Sequence, residues 1–114
     1  MKKATVIKYL EYASLCKLKA KDYKVLLFIL SELIDLKYSS FNQNKIAEQL
    51  GLTKSDVSKS LRRLEEYQIL SFTWTSPRKK LVGFVPYSDD ELDELITEKV
   101  EENVGNSFFD DWDD

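Results

Sequence analysis

Apolar and polar positions follow several distinct rhythms along the chain. Residues 5–16, TVIKYLEYASLC, mix the two without a clean period and fit either a helix or a short strand. Residues 22–37, DYKVLLFILSELIDLK, open on an acid and close on a lysine, which suits the helix macrodipole at both ends. Apolar side chains nearly encircle that segment, so it is expected to be the central buried helix. In NQNKIAEQL, Ile46, Ala47 and Leu50 share one face at helical spacing behind Asn42, a good N-cap. Gly51 follows as a left-handed C-cap, and Thr53 then caps another helix with Asp56 three residues on. That is the spacing of a capping box, with Asp in place of the usual Glu or Gln.

Two short helices about a tight glycine turn make a helix-turn-helix pattern. In the second of them, Val57, Leu61 and Leu64 form one apolar stripe. At about 100° per residue the opposite side carries Ser55, Lys59, Arg62 and Glu66, flanked by Ser58 and Arg63. The run ILSFTWT then reads as a strand with Leu70, Phe72 and Trp74 on one face. Ser76 and Pro77 turn the chain, Arg78, Lys79 and Lys80 follow, and LVGFVPY returns, predicting a β-hairpin with a basic tip. Phe72, Trp74 and Phe84 are expected in its core.

Ser88 and Glu91 have capping-box spacing at the start of a further helix, and Asp89 and Asp90 suit its positive end. Leu92, Leu95, Ile96 and Val100 line one side of it, joined by Val104 before Gly105. The closing NSFFDDWDD has neither the period nor the length for structure of its own. The expected division is therefore a body over 1–87, an acidic amphipathic helix over 88–104, and a disordered acidic aromatic tail over 105–114.

Charge sharpens that division. The 114 residues carry a formal charge of -3, yet residues 1–87 hold +8 and residues 88–114 hold -11. Such asymmetry suggests a basic binding body with an acidic appendage. With 43% hydrophobic and 32% charged residues, the chain is expected to fold as an ordinary globular protein. Lys8 and Glu11 interrupt any apolar export signal, and the longest apolar run, VLLFIL, falls far short of a membrane span, so a cytoplasmic protein is expected.

The chemistry on offer is narrow. The chain has no histidine, which removes the commonest general base, histidine-activated nucleophiles and imidazole metal ligands. Cys16 is the single cysteine, so neither an internal disulfide nor a thiolate zinc site is available within one chain. Asp89 and Asp90 lack the apolar setting that would raise one carboxyl for acid–base work. No enzyme, metal or cofactor is expected, and nothing around Cys16 points to a lowered thiol pKa.

NQNKIAEQLGLTKSDVSKSLRRLEEYQILSF, residues 42–72, resembles the winged helix-turn-helix DNA-binding domain, with the wing extending the match to 87. The agreement runs through a polar start, I-A-x-x-L-G-L, a capping threonine, V-S-x-x-L, a basic pair and L-E-x-x-x-I. It is similar to MarR-like regulators and to N-terminal domains of phage and plasmid replication proteins. Asp56 departs from the pattern, where many relatives carry Thr or Ser; capping its own helix is favoured over accepting from cytosine. The resemblance implies a mainly α fold with a small β-hairpin (α+β) that binds double-stranded DNA.

On that reading the helix from Lys54 to Glu66 lies in the major groove. Ser55, Ser58, Lys59 and Arg62 face base edges or backbone, and Arg63 faces phosphate. Asn42, Thr53 and Lys54 are further candidates for DNA contact, and Arg78, Lys79 and Lys80 sit on phosphate or in the minor groove. The helix over 89–103 can pack on its own domain, pair with a second copy or dock on another protein; small regulators of this kind act as two-fold dimers on DNA, which favours Leu92, Leu95, Ile96 and Val100 as a homodimer contact. Phe108, Phe109 and Trp112 are candidates for docking a protein partner, with self-inhibition or a purely solubilising tail as the other readings. The leading function is a dimeric transcriptional regulator. Its rivals are a phage or plasmid replication or partition factor whose tail recruits machinery, and a protein-binding inhibitor whose acidic end imitates DNA.

Overall fold

The computed structural model describes residues 1–34, 37–77 and 79–112, with side chains as far as Gly105. The elements run α1 (Lys3–Leu15), α2 (Ala20–Leu33), β1 (Tyr38–Ser40), α3 (Gln43–Leu50), α4 (Lys54–Glu66), β2 (Leu70–Ser76), β3 (Lys79–Phe84) and α5 (Asp89–Trp112). They divide into two compact units, Met1 with Leu18–Val85, and Lys2–Lys17 with Pro86–Asp114.

In the first unit the helix ends are set by local hydrogen bonds. Asp22 Oδ2 accepts from the Lys19 N–H at 2.8 Å and so holds the start of α2. Asn42 Oδ1 accepts from the N–H groups of Asn44 at 2.9 Å and Lys45 at 3.3 Å, pairing orphan donors at the start of α3. Gly51 ends α3 at φ 68°, a left-handed conformation that costs glycine nothing, and this lets Thr53 open α4 two residues later. Thr53 and Asp56 then exchange bonds: the Asp56 N–H donates to Thr53 Oγ1 at 3.0 Å, and the Thr53 N–H donates to Asp56 Oδ2 at 3.1 Å. The capping box read from the sequence is present, and Asp serves in it as well as Glu.

At the far end of α4, Gln68 takes φ 59° while the Gln68 and Ile69 N–H groups donate back to the carbonyls of Glu65 and Leu64. This turn delivers the chain into β2. The sheet order is β1-β3-β2, antiparallel throughout. The short strand β1 is absent from the sequence reading, which sees only the β2–β3 hairpin. Its Tyr38 pairs with Gly83, where a Cβ would run into the Tyr38 ring and the Lys37 carbonyl. The third strand therefore depends on that glycine.

Val25, Leu26, Ile29, Leu30 and Leu33 from α2 are buried, as are Ile46, Val57, Leu61, Leu64, Ile69, Leu70, Val82 and Phe84 in the other elements of this unit. Each large side chain taken fully out of water contributes about 1.5–3 kcal/mol. The α2 helix is not buried all round, however: Leu27 is 53% exposed and Ile34, its C-cap, 45%. A helix of this length in a small domain has partners for only one side, whatever its composition.

The second unit joins the two ends of the chain. α1 settles the ambiguous segment 5–16 as helix, and it lies with α5 rather than with a body ending at residue 87. Lys8 Nζ meets Asp93 at 2.9 Å, Thr5 Oγ1 donates to Asp89 Oδ1 at 2.9 Å, and the Tyr87 N–H donates to Tyr9 Oη at 3.0 Å. Asn103 Nδ2 donates to the Leu15 carbonyl at 3.1 Å. Ser88 and Glu91 form the expected capping box at 3.0 and 3.1 Å. Helical backbone continues through Gly105 to Trp112, where sequence analysis expects a disordered tail. Glycine inside a helix costs only about 1 kcal/mol relative to alanine, so it is a weak stop unless the chain turns left-handed there, as it does at Gly51 and not at Gly105.

Candidate nucleic-acid interface

Helix α4 carries two interleaved sets of side chains. Val57, Ser60, Leu61 and Leu64 are buried, whereas Lys54, Ser55, Lys59 and Arg62 are exposed and Ser58 is half-buried between them. The five outward residues surround an open concavity of about 410 Å³ whose sixth wall is Gln43, the first residue of α3. Gln43 is missing from the sequence candidates. Its place directly after an N-cap, at the start of the helix that leads into the basic one, is the signal that would have found it.

Asn42 and Thr53 serve first as caps, their side-chain oxygens already accepting backbone N–H groups. Asp56 is committed twice over, to the Thr53 N–H and to Lys21 Nζ at 3.1 Å. The Thr53 bond and then Lys21 hold its carboxyl below the ordinary range. An Asp56 so engaged caps its helix, the role favoured over cytosine recognition.

Arg63 parts company with its neighbour Arg62. Its Nε donates to Asp22 Oδ2 at 2.7 Å, and Ser60 Oγ donates to Asp22 Oδ1 at 2.6 Å, so a fully buried carboxylate on α2 holds α4 from below. The Nε of Arg63 is thus committed to Asp22, while its side chain stays 29% exposed. The residue after Arg62 is turned about 100° further round the helix, which brings it to the edge of the packed side. Burial alone would raise the Asp22 carboxyl, but the bonds from Arg63, Ser60 and the Lys19 N–H outweigh it and keep the group low. The same bond raises the Arg63 guanidinium. Sequence analysis passes over Asp22 and Ser60 as functional supports. A serine three residues after Val57 and one before Leu61 stands on a core stripe, where a hydroxyl needs a partner.

On the wing, Lys79 is exposed and Lys80 half-buried, while Arg78 lies outside the described residues. Lys80 Nζ lies 3.8 Å from the Phe72 ring centroid and 5.7 Å from that of Trp74. Phe84 and Phe72 are buried and half-buried as hairpin core, but Trp74 is 62% exposed. Burial falls away along β2, from Leu70 buried through Phe72 half-buried to Trp74 exposed.

Of the candidates for partner contact, Leu92 is fully buried within the chain and has no surface to offer. Leu95 and Ile96 are half-buried, and Val100 and Val104 are 41% and 62% exposed. Phe108, Phe109 and Trp112 have side chains outside the described residues. The first unit holds 12 Lys or Arg against 7 Asp or Glu, and the second 5 against 13, so the charge split follows the units even though α1 has changed sides. Among the described residues no helix is long and apolar enough to cross a membrane.

No protein-family model matches the sequence, and a search of curated proteins finds no match. Solved structures do resemble it. A possible transcriptional regulator from Methanosarcina mazei Go1 superposes with a TM-score of 0.59 at 19% identity, over 96% of this chain and 89% of that one. A mutant of S. aureus MepR bound to an oligodeoxyribonucleotide does so with a TM-score of 0.52 at 22% identity, over 91% and 72%. At such identities the likeness speaks for the fold: five helices and a three-stranded antiparallel sheet in a winged helix-turn-helix arrangement.

Proposed function

We propose that this winged helix-turn-helix chain binds a specific double-stranded DNA site and regulates transcription. The observation that carries the reading is the concavity on α4, where Lys54, Lys59, Arg62, Ser55, Ser58 and Gln43 converge with no carboxylate among them. Lys59 and Arg62 suit guanine O6 and N7, and Gln43 suits adenine or phosphate. Ser55 and Ser58 add short donors. The Asn42 amide and the Thr53 hydroxyl proton remain to meet phosphate once their oxygens are spent on caps. Lys79 and Lys80 extend the positive surface onto the wing. The DNA-bound neighbour supports this assignment for a protein of the same fold.

A two-fold dimer fits the reading, because two copies double the recognition surface and match a palindromic site. Ile7, Val100 and Val104, all exposed apolar side chains of the second unit, are the surface we assign to the partner copy. The acidic excess of that same unit favours a basic protein as a further partner, which keeps a replication or partition role in play. A DNA-imitating inhibitor is disfavoured by the basic concavity, which such a protein has no need of.

Selection from a pool of random duplexes tests the proposal. The full chain is expected to enrich one palindromic sequence, and a Lys59→Ala, Arg62→Ala variant that melts normally is expected to lose it. About five phosphate contacts give a slope of log affinity against log salt near -4 to -5. No enrichment by the folded parent chain would overturn the regulator reading.

A further inference from the structure

We infer that the wing carries a stacking site for a nucleotide, formed by the exposed indole of Trp74 beside the ammonium of Lys80, distinct from the reading face of α4. The inference rests on the DNA-binding reading above and adds a contact of different chemistry to it.

Three observations lead there. Trp74 is the most exposed aromatic side chain among the described residues, at 62%, on a strand whose same-face neighbours Leu70 and Phe72 are buried and half-buried. A large apolar plate left in water beside a basic cluster is the informative exception to burial. The face is also the right one. Phe72 lines a small cleft with Leu61, Lys80 and Gln43, and Gln43 is the residue that also walls the concavity of α4. One continuous surface therefore runs from Arg62 through Gln43 to the wing aromatics. Finally, the partner strand fixes a cation there: Trp74 pairs with Lys80, whose Nζ is 3.8 Å from the Phe72 centroid and 5.7 Å from that of Trp74. The ladder breaks register between Trp74 and Ser76, and such an irregularity bends a strand and re-aims its side chains.

The chemistry of the two groups is complementary to one nucleotide. An indole offers a flat apolar face and a single N–H donor, and the ammonium beside it, already held over a ring, offers donors to a phosphate. A base can lie flat on the indole, and a deoxyribose can pack its C–H groups against it. A base is reached where the stack ends or a step is opened; a sugar is reached along the wall of the minor groove of an intact duplex.

The test uses the full chain with a mixed-sequence duplex, and the same duplex carrying a short single-stranded extension, over a range of salt. Trp74→Ala is expected to weaken binding about tenfold to a hundredfold and leave the salt slope unchanged, because stacking releases no counterions. Lys80→Ala is expected to reduce the slope by about 1. Trp74→Phe keeps a ring and is expected to restore most of the affinity, while the DNA-dependent quench of tryptophan fluorescence expected of the parent chain is lost. A larger Trp74→Ala effect on the extended duplex assigns the contact to a base, and an equal effect on both assigns it to sugar. If the parent binds and the Lys59→Ala, Arg62→Ala variant does not, but Trp74→Ala binds as the parent does with its quench intact, the stacking site is overturned alone. A parent that binds neither duplex overturns both readings.

Discussion

Asp22 shows how much of this fold hangs on one carboxylate. It caps its own helix through the Lys19 N–H and ties α4 down through Ser60 and Arg63 while fully buried. Asp22→Asn removes the charge and leaves Arg63 without its partner. We expect a loss of about 3 kcal/mol, toward the low end for a broken buried ion pair because Arg63 retains access to water. The pH dependence has a definite sign. The folded carboxyl is held low, so its contribution is fully present above the unfolded value near about pH 4 and disappears as pH falls through the folded value. Urea midpoints of parent and variant are thus expected to differ constantly at neutral pH and to converge below about pH 4. A separate residue-scale effect lies at Gln68, whose φ of 59° suits glycine. Gln68→Gly is expected to raise stability by about 1 kcal/mol, read as a higher urea midpoint at unchanged m. Cys16 belongs to this scale too: burial pushes its thiol up, and its Sγ donates to the Tyr12 carbonyl at 3.4 Å. Slow alkylation at neutral pH, accelerating only on unfolding, is the expected behaviour of such a thiol.

Among the elements, those with local signals are the ones sequence analysis places well. α3 and α4 announce themselves through Asn42, Gly51, Thr53 and Asp56, each acting within four residues of its own position. The β2–β3 hairpin does so through alternation. β1 escapes because three residues carry no period, and its pairing with β3 depends on chain more than forty residues away. The same limit explains Arg63 and Trp74. Helical phase puts Arg63 near the basic face, and only the position of Asp22 on another helix decides that it turns inward. Alternation puts Trp74 on the same face as Leu70 and Phe72, and only the packing around the strand decides that it is left 62% exposed. Gly83 tests the pairing directly. Gly83→Ala drives a methyl into the Tyr38 ring and the Lys37 carbonyl, an overpacking expected to cost about 1–3 kcal/mol and to lower the melting temperature.

For the molecule as a whole, the opposed charges of the two units make a statement about binding that neither unit makes alone. An acidic unit tethered to a basic one lowers the local attraction for any polyanion, and added salt screens the penalty along with the attraction. Glu94, Glu98 and Glu101 are exposed on α5. Replacing all three with Gln is expected to tighten DNA binding most at low salt, which titrations at two ionic strengths will show. Cutting the chain at Tyr87 is a poorer test, because α1 would lose the Asp93, Asp89 and Asn103 contacts that α5 provides. Val100→Glu with Val104→Glu addresses assembly. If the proposed dimer forms through these side chains, the change is expected to shift it to monomer in sedimentation at micromolar concentration and leave the melting of the first unit unchanged.

If α4 reads DNA as proposed, its interleaving also bears on how such a protein changes its target. The residues that anchor the helix, Ser60, Leu61, Arg63 and Leu64, alternate with those that face outward, Ser55, Lys59 and Arg62, and the two sets share no side chain. Mutations can therefore rewrite the outward set one position at a time while the helix stays seated. A lineage carrying this domain is free to drift from one site to another through folded intermediates, and an engineer retargeting it can randomise the outward positions without first repairing the scaffold.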